Sequence, residues 1–330
     1  MKPLRLRAHA KLNLALRVGL PRADGYHPIA GVFQTISLCD LLYAAPMSAP
    51  APIPPLPPTV TSGPAPPTTS QSDGTPGLLQ LHVVGAELPA RNTVTTAVEK
   101  LADEARRQDI EPVPLRMGLV KRVPMGAGLG GGSSDAAAAL IACARLWELD
   151  RQALSERDVM RRIAAEVGSD VPFFLVGGTA MVTGTGERIE SLDPLRDTWF
   201  VVAAPDLHVS TPTAYADFDR VAGVEGSGVP IDPAPPRYDR ELDTGWMGND
   251  LQEPVSVRHP EIADVRRRLA DLGGMATQMT GSGAASFGAF TDRRSATKAA
   301  RVLRAEGRWA GAFRSVDGDK HRRGQPDPSR

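Results

Sequence analysis

The sequence predicts an α+β protein. Segments that alternate apolar and polar residues, as half-buried strands do, are interspersed with segments of helical spacing. The two kinds do not follow the strict strand–helix–strand rhythm of a doubly wound parallel sheet, which points to layers of sheet and helix instead. No internal repeat is present, so a solenoid or propeller is excluded.

In chain order, LRLRAHAKLNLALRV (4–18) alternates and reads as a strand, and 29–42 and 78–84 supply further strands. Residues 92–108 carry Val94, Ala97, Val98, Leu101 and Ala105 at helical spacing. Residues 115–124 read as a strand that leads into a glycine-rich loop, and 133–149, rich in Ala and Leu, as a long helix capped by Ser133 and Ser134. Further helices are expected over 155–167, 212–219, 259–272 and 294–306. A buried strand is expected over 199–204, and strand-like pieces over 275–290 around Thr280-Gly281-Ser282-Gly283. Residues 46–76 hold eleven prolines and one charge, Asp73, a composition that buries too little apolar surface to offset ordering entropy. That stretch is expected to be a disordered insertion, 221–236 a loose segment, and 317–330 a frayed polar tail.

A chain of 330 residues suffices for one large domain or two ordinary ones. Its 38 basic and 38 acidic side chains cancel, which argues against a chain-wide basic field for nucleic acid or anionic membrane. The longest apolar runs, such as 173–182, fall short of the ~18 residues a membrane helix needs. Arg5, Arg7, His9 and Lys11 break the N-terminal apolar pattern, so no signal-peptide core forms. Cys39 and Cys143 lack metal-type spacing and read as small buried hydrophobes, and the expected location is the cytoplasm.

The most informative segment is Pro124-Met125-Gly126-Ala127-Gly128-Leu129-Gly130-Gly131-Gly132-Ser133-Ser134. Five glycines in seven positions permit close approach of backbone to a ligand, and the helix start that follows attracts phosphate. It is not a Walker loop, because no Gly-Lys-Ser/Thr opens the helix. A dinucleotide fingerprint would require a second strand ending in an acidic residue about 20 positions on, where a further helical pattern stands instead. The HRD and DFG motifs of protein kinases are absent.

PMGAGLGGGSSDAA resembles the phosphate loop of the GHMP kinases, AHAKLNLAL resembles their first motif, and MTGSGAASFGAF their third. The three occur in the family's order. ADGYHPI and GSDVPFF narrow the resemblance to the branch that phosphorylates a cytidine diphosphate conjugate of methylerythritol on its 2-hydroxyl. Rival acceptors are homoserine and mevalonate derivatives, which carry no cytosine. A non-catalytic protein that keeps the nucleotide cleft would be expected to have lost Lys11 or Asp170, and both are present.

The resemblance implies a ribosomal-S5-like N-terminal domain (1–192), a ferredoxin-like C-terminal domain (193–313) with the active site between them, and a flexible tail (314–330). It implies small-molecule partners only: ATP, carried with Mg²⁺, and the cytidine diphosphate conjugate. By the same resemblance Asp170 is the catalytic base, Lys11 its partner, and Asn13 a substrate contact two residues along the strand. Tyr26 and Tyr215 would sandwich the cytosine, His27 would bond the base edge, and Thr211 would contact substrate. Gly281, Ser282 and Gly283 would close over the acceptor side. Asn92 is either an adenine contact or a helix cap. Ser134 and Asp135, at the helix start, suit the shell of the magnesium that travels with ATP, although Asp135 equally suits the helix dipole. No dedicated metal site is assigned. Lys121 and Arg122 face either the diphosphate or solvent.

Overall fold

A computed structural model describes residues 3–48, 69–73, 77–149, 159–195, 197–222 and 244–323. The chain runs β1 (Leu4–Val18), β2 (Ile29–Pro46), β3 (Thr69–Asp73), β4 (Leu79–Val84), α1 (Thr93–Arg107), β5 (Leu115–Val120), α2 (Gly131–Leu146), α3 (Val159–Val167), α4 (Val171–Val176), β6 (Thr179–Gly184), β7 (Arg188–Ser191) and β8 (Trp199–Ala204). It continues with α5 (Thr211–Ala222), β9 (Gly248–Asn249), α6 (Gln252–Arg258), α7 (Pro260–Asp271), β10 (Met275–Met279), β11 (Ser286–Phe290), α8 (Arg293–Ala305), β12 (Trp309–Arg314) and α9 (Gly318–Arg323).

Among the described residues eight strands form the first sheet, in the order β3-β4-β5-β2-β1-β9, with β6 also pairing β2 and β7 pairing β6. Four form the second, β10-β11-β8-β12. β4–β5 and β1–β9 are parallel pairs, and the other pairs are antiparallel.

The long β1–β2 ladder slips register twice, between His9 and Lys11 and between Asn13 and Ala15. Each slip exchanges the two faces of the strand. Leu6, Ala8, Leu16 and Val18 therefore pack with α1 and α2 in one core. Ala10, Leu12 and Leu14, between the slips, pack instead into a second core with Phe200, Val202 and Phe287 of the second sheet. That shared core joins the two sheets, and it turns Lys11 and Asn13 toward the start of α2. β1 was expected to be half-buried, yet from Ala8 to Leu16 every residue is buried. Its polar face meets other protein rather than water.

α2 carries Ala136 to Ala139, all buried, so small side chains let it approach the sheet closely. The second sheet covers its other face with α7 and α8 through Val201, Ala203, Val265, Leu269 and Leu303.

Several expectations need correction. The long helix starts at Gly131, two residues early, and its cap position is Gly130 in the left-handed region with no side-chain cap; neither Ser133 nor Ser134 caps it. The strand of 115–124 stops at Val120. Helix 155–167 is described from Val159, and 259–272 is one of two short helices in succession. α4 and the β6–β7 hairpin were not anticipated. The insertion at 46–76 falls largely outside the described residues, but Thr69–Asp73 pairs in register with β4 and belongs to the sheet. The loose segment 221–236 lies outside the described residues beyond residue 222. The tail is not frayed at 318–323: α9 forms there, and His321 is buried with its Nε2 donating to the Phe174 carbonyl at 2.9 Å.

Candidate active site

A cavity of 680 Å³ lies where β1, the glycine loop, α4 and the 205–215 segment of the second domain meet. That size suits a small-molecule site.

The glycine loop forms its floor. Gly128, with φ +75°, passes so close to the second domain that a Cβ would run into the Thr280 carbonyl. Gly130, with φ +71°, lies under Phe174 and Lys11, 2.7 Å and 3.1 Å from where a Cβ would sit. Close contact, with backbone at Gly128 and with side chains at Gly130, together with positive φ, is why glycine stands here. The Leu129 carbonyl accepts from Lys11 N at 3.0 Å, next to the first register slip, which ties the loop to β1. Since no side chain caps α2, its first N–H groups face the cavity with the helix dipole behind them.

Lys11 is 3% exposed. Its Nζ lies 3.5 Å from Asp170 Oδ2, donates to Asn13 Oδ1 and stands 5.0 Å over the Phe33 ring. Burial pulls its pKa down, and the charge and hydrogen bond of Asp170 pull it back up. Asp170 immediately precedes α4, where Pro172 opens the helix and Phe173 and Phe174 are buried beneath it. Asn13 N donates to Thr280 Oγ1 at 3.0 Å, and the Thr280 hydroxyl donates to Asn13 Oδ1 at 3.2 Å. Gly281 presses on Lys11: a Cβ on it would sit 3.2 Å from Nζ. The loop is held by Asn249 Nδ2, which donates to the Met279 and Gly281 carbonyls at 2.9 and 2.8 Å. Ser282 and Thr211 share a hydroxyl–hydroxyl bond of 3.0 Å.

Behind the loop, Lys121 is buried between Asp40 and Asp135, 2.6 Å from Asp135 Oδ2. It borders the cavity with its charge already held by these two carboxylates. Asp40 also accepts from Arg122 N and Val123 N, so it fixes the entry to the glycine loop. Burial pushes the Asp135 carboxyl up to about 8; Lys121 opposes this and the neighbouring Asp40 adds to it. Asp135 Oδ1 has no hydrogen-bond partner.

Of the expected residues, Lys11, Asn13, Asn92, Pro124 to Ser133, Asp170, Thr211, Tyr215, Gly281 and Ser282 line the cavity together. Ser134 is buried in the first turn of α2, and Gly283 backs the loop against Met279. The amide of Asn92 acts as a cap: Oδ1 accepts from Val94 N and Thr95 N, and Nδ2 donates to the Pro89 carbonyl. Ser210, not Thr211, bonds the first turn of α5, which frees the Thr211 hydroxyl for Ser282. The 24–27 turn is not gathered in. Tyr26 is 66% exposed, and His27 bonds the Gly19 carbonyl through Nδ1 with Nε2 3.5 Å from Asp219. His27 does meet Tyr215, ring to ring at 4.9 Å.

Sequence reasoning missed Thr280, Asn249, Asp40 and His208, which also lines the cavity. The one available signal was polarity at strand positions: Asp40 stands in an otherwise apolar run, and Asn249 in a Gly-Asn-Asp step.

Residues 92–178 match the GHMP kinases N terminal domain and residues 240–308 match GHMP kinases C terminal. The chain is 35% identical over 306 residues to a 4-diphosphocytidyl-2-C-methyl-D-erythritol kinase of Solibacter usitatus (strain Ellin6076), a match that covers 90% of this chain and 84% of the relative. A crystal structure of 4-(cytidine 5'-diphospho)-2C-methyl-D-erythritol kinase aligns with a TM-score of 0.67 at 32% identity, over 94% of this chain and 98% of that one. A homoserine kinase from Cytophaga hutchinsonii aligns with a TM-score of 0.61 at 15% identity over 97% and 96%, which shows a shared fold alone.

Proposed function

The chain belongs to the 4-diphosphocytidyl-2-C-methyl-D-erythritol kinase family of the GHMP kinases, and from that membership we propose how its own residues transfer a phosphoryl group. It is an ATP-dependent small-molecule kinase. The acceptor is 4-diphosphocytidyl-2-C-methyl-D-erythritol, and the products are its 2-phosphate and ADP. The observation that carries the mechanism is the Lys11–Asp170 pair, 3.5 Å apart, over Gly130 and against Gly281.

The polyphosphate of ATP lies along 126–134, where backbone N–H groups and the α2 dipole receive its charge. The acceptor hydroxyl approaches between Asp170 and Lys11. As its oxygen bonds to the γ-phosphorus, the bond from that phosphorus to the β-bridging oxygen breaks, ADP departs, and the hydroxyl proton passes to Asp170. Lys11 orients Asp170 and polarises the hydroxyl, and Asn13 fixes Lys11 in turn. No phosphoenzyme is required. Thr211, Ser282 and Tyr215 border the acceptor side, and the Tyr215 ring, packed at a 40° tilt against His27, offers an aromatic face for a pyrimidine.

Magnesium bound with the nucleotide would neutralise the developing phosphate charge. Asp135 Oδ1, buried without a partner, and Ser134 at the helix start fit its shell. Among the described residues no group of three or more His, Cys, Asp or Glu is placed to hold a metal ion.

We place the domain boundary between 192 and 193, supported by the last large-sheet hairpin ending at Ser191 and the second sheet beginning at Trp199. Cytoplasmic action is supported by two free cysteines. No helix among the described residues is long and apolar enough to cross a membrane.

The test is ADP release by the purified protein with three acceptors offered in parallel: the cytidyl diphosphate compound, homoserine and mevalonate. Turnover with the first alone is the expected result; preference for either of the others overturns the acceptor assignment.

A further inference from the structure

Three basic side chains border the cavity among the described residues, and they are not equivalent. Lys11 is matched by Asp170, and Lys121 by both Asp40 and Asp135. Among the described residues no arginine lines the cavity. His208 is the third, and among the described residues no carboxylate lies within ion-pair distance of it. Both substrates of the proposed reaction are nevertheless polyanions, so the charge that receives them is scarce.

The position of His208 is specific. It stands in the loop between β8 and α5, on the second domain, exposed to the cleft. Its ring occupies the space a side chain on Gly126 would need, at a backbone with φ +62°. The second domain thus lays an imidazole against the first glycine of the phosphate loop. Two residues further on, Ser210 starts α5, and Thr211 then bonds Ser282 on the acceptor side. The imidazole therefore stands between the phosphate loop and the acceptor side.

We propose that His208 is a phosphate-binding residue, its imidazole donating a hydrogen bond to a phosphate oxygen of one substrate. This rests on the kinase reading above. The phosphate belongs either to the nucleotide over 126–134 or to the diphosphate of the acceptor. The surroundings leave this ring to the ligand. The glycine loop carries no ionisable side chain from Pro124 to Gly132. The other ionisable group on the His208 loop is Asp206, which is exposed. Across the cleft stand the Lys11–Asp170 pair and the Lys121 cluster, each already internally matched.

The experiment uses the full chain with His208→Ala, His208→Gln and His208→Lys. Steady-state constants are measured for both substrates at pH 6 and pH 8. Calorimetric titration with ATP and with CDP, which needs no turnover, is run beside them. His208→Ala should raise the KM and the Kd for one phosphate ligand about tenfold, the effect of one charge-assisted hydrogen bond, and leave kcat within about twofold. His208→Lys should restore binding at both pH values. A change confined to ATP assigns the phosphate to the nucleotide, and a change confined to CDP and the acceptor assigns it to the acceptor. If His208→Ala and His208→Gln bind both ligands within twofold of wild type, or if Lys fails to rescue a weakened Ala variant, the ring only packs on Gly126 and the proposal is overturned. A wild-type protein that binds ATP but phosphorylates no acceptor defeats the kinase reading instead, and the ATP and CDP titrations still decide the role of His208.

Discussion

Lys11 and His9 stand on the same strand and are both buried, but their surroundings ask different things of them. Lys11 has a carboxylate beside it and keeps a use for its charge. Replacing that carboxylate in Asp170→Asn should lower kcat by about 10²-fold or more, the scale of a lost general base, while ATP still binds; near-normal single-turnover rates in the variant would remove Asp170 from proton transfer. His9 has no such partner. Its Nδ1 donates to the Ile36 carbonyl, while burial above all, then His321, Arg7 and Arg314, hold its pKa down at about 4. Only the unfolded chain takes up the proton as pH falls from about 6.5, so this stability is complete above that pH and is lost toward pH 4. The loss amounts to about 3 kcal/mol. Urea midpoints between pH 7 and 4 should fall accordingly. His9→Asn, which keeps a donor for Ile36 but has no proton to gain, should flatten the profile. At this scale the sequence showed which residues were out of place in a strand. It did not show that His27 would turn to the Gly19 carbonyl and Asp219, because the first depends on how the 19–28 turn folds back and the second on where a distant helix comes to rest.

The glycine loop is the element whose form was most legible. Glycines at fixed intervals before an alanine-rich helix state their backbone geometry directly, and Gly126, Gly128 and Gly130 all adopt positive φ. What they touch was not legible. Gly128→Ala should destabilise the fold by about 1–2 kcal/mol from its left-handed backbone alone. It should weaken ATP binding by about tenfold or more, since the new methyl displaces the loop from Thr280. Fluorescence titration of a nucleotide analogue checks this, and wild-type affinity in a folded variant would show that the Gly128–Thr280 approach has no part in holding the loop. The caps illustrate the same division. Asn92 was recognisable as a cap because the capping box is local, with Thr95 returning the bond. The unassisted start of α2 was not, because Ser133 and Ser134 lie one turn too deep to serve it.

Across the whole molecule, one apolar core built from Leu12, Leu14, Phe200 and Phe287 fastens the two sheets and so fixes the cleft between them. The proline-rich stretch enters at the end of β2 and rejoins the sheet as β3, at the edge farthest from β1 and Lys11. Deleting residues 49–68, and keeping Thr69–Asp73 for its pairing with β4, should leave kcat/KM within a few-fold. A loss of an order of magnitude in steady-state assays would give that stretch a part in the site or in assembly. By itself the sequence determined the layers and the phosphate loop, which follow from periodicity and backbone freedom, and its short motifs carried the resemblance to a kinase family. Only the tertiary structure decided that the polar face of β1 is buried, that Lys121 is locked between two carboxylates, and that His208 lies on Gly126. Each of those requires segments far apart in sequence to meet, and on β1 two register slips, which no local pattern encodes, decide which residues face which core.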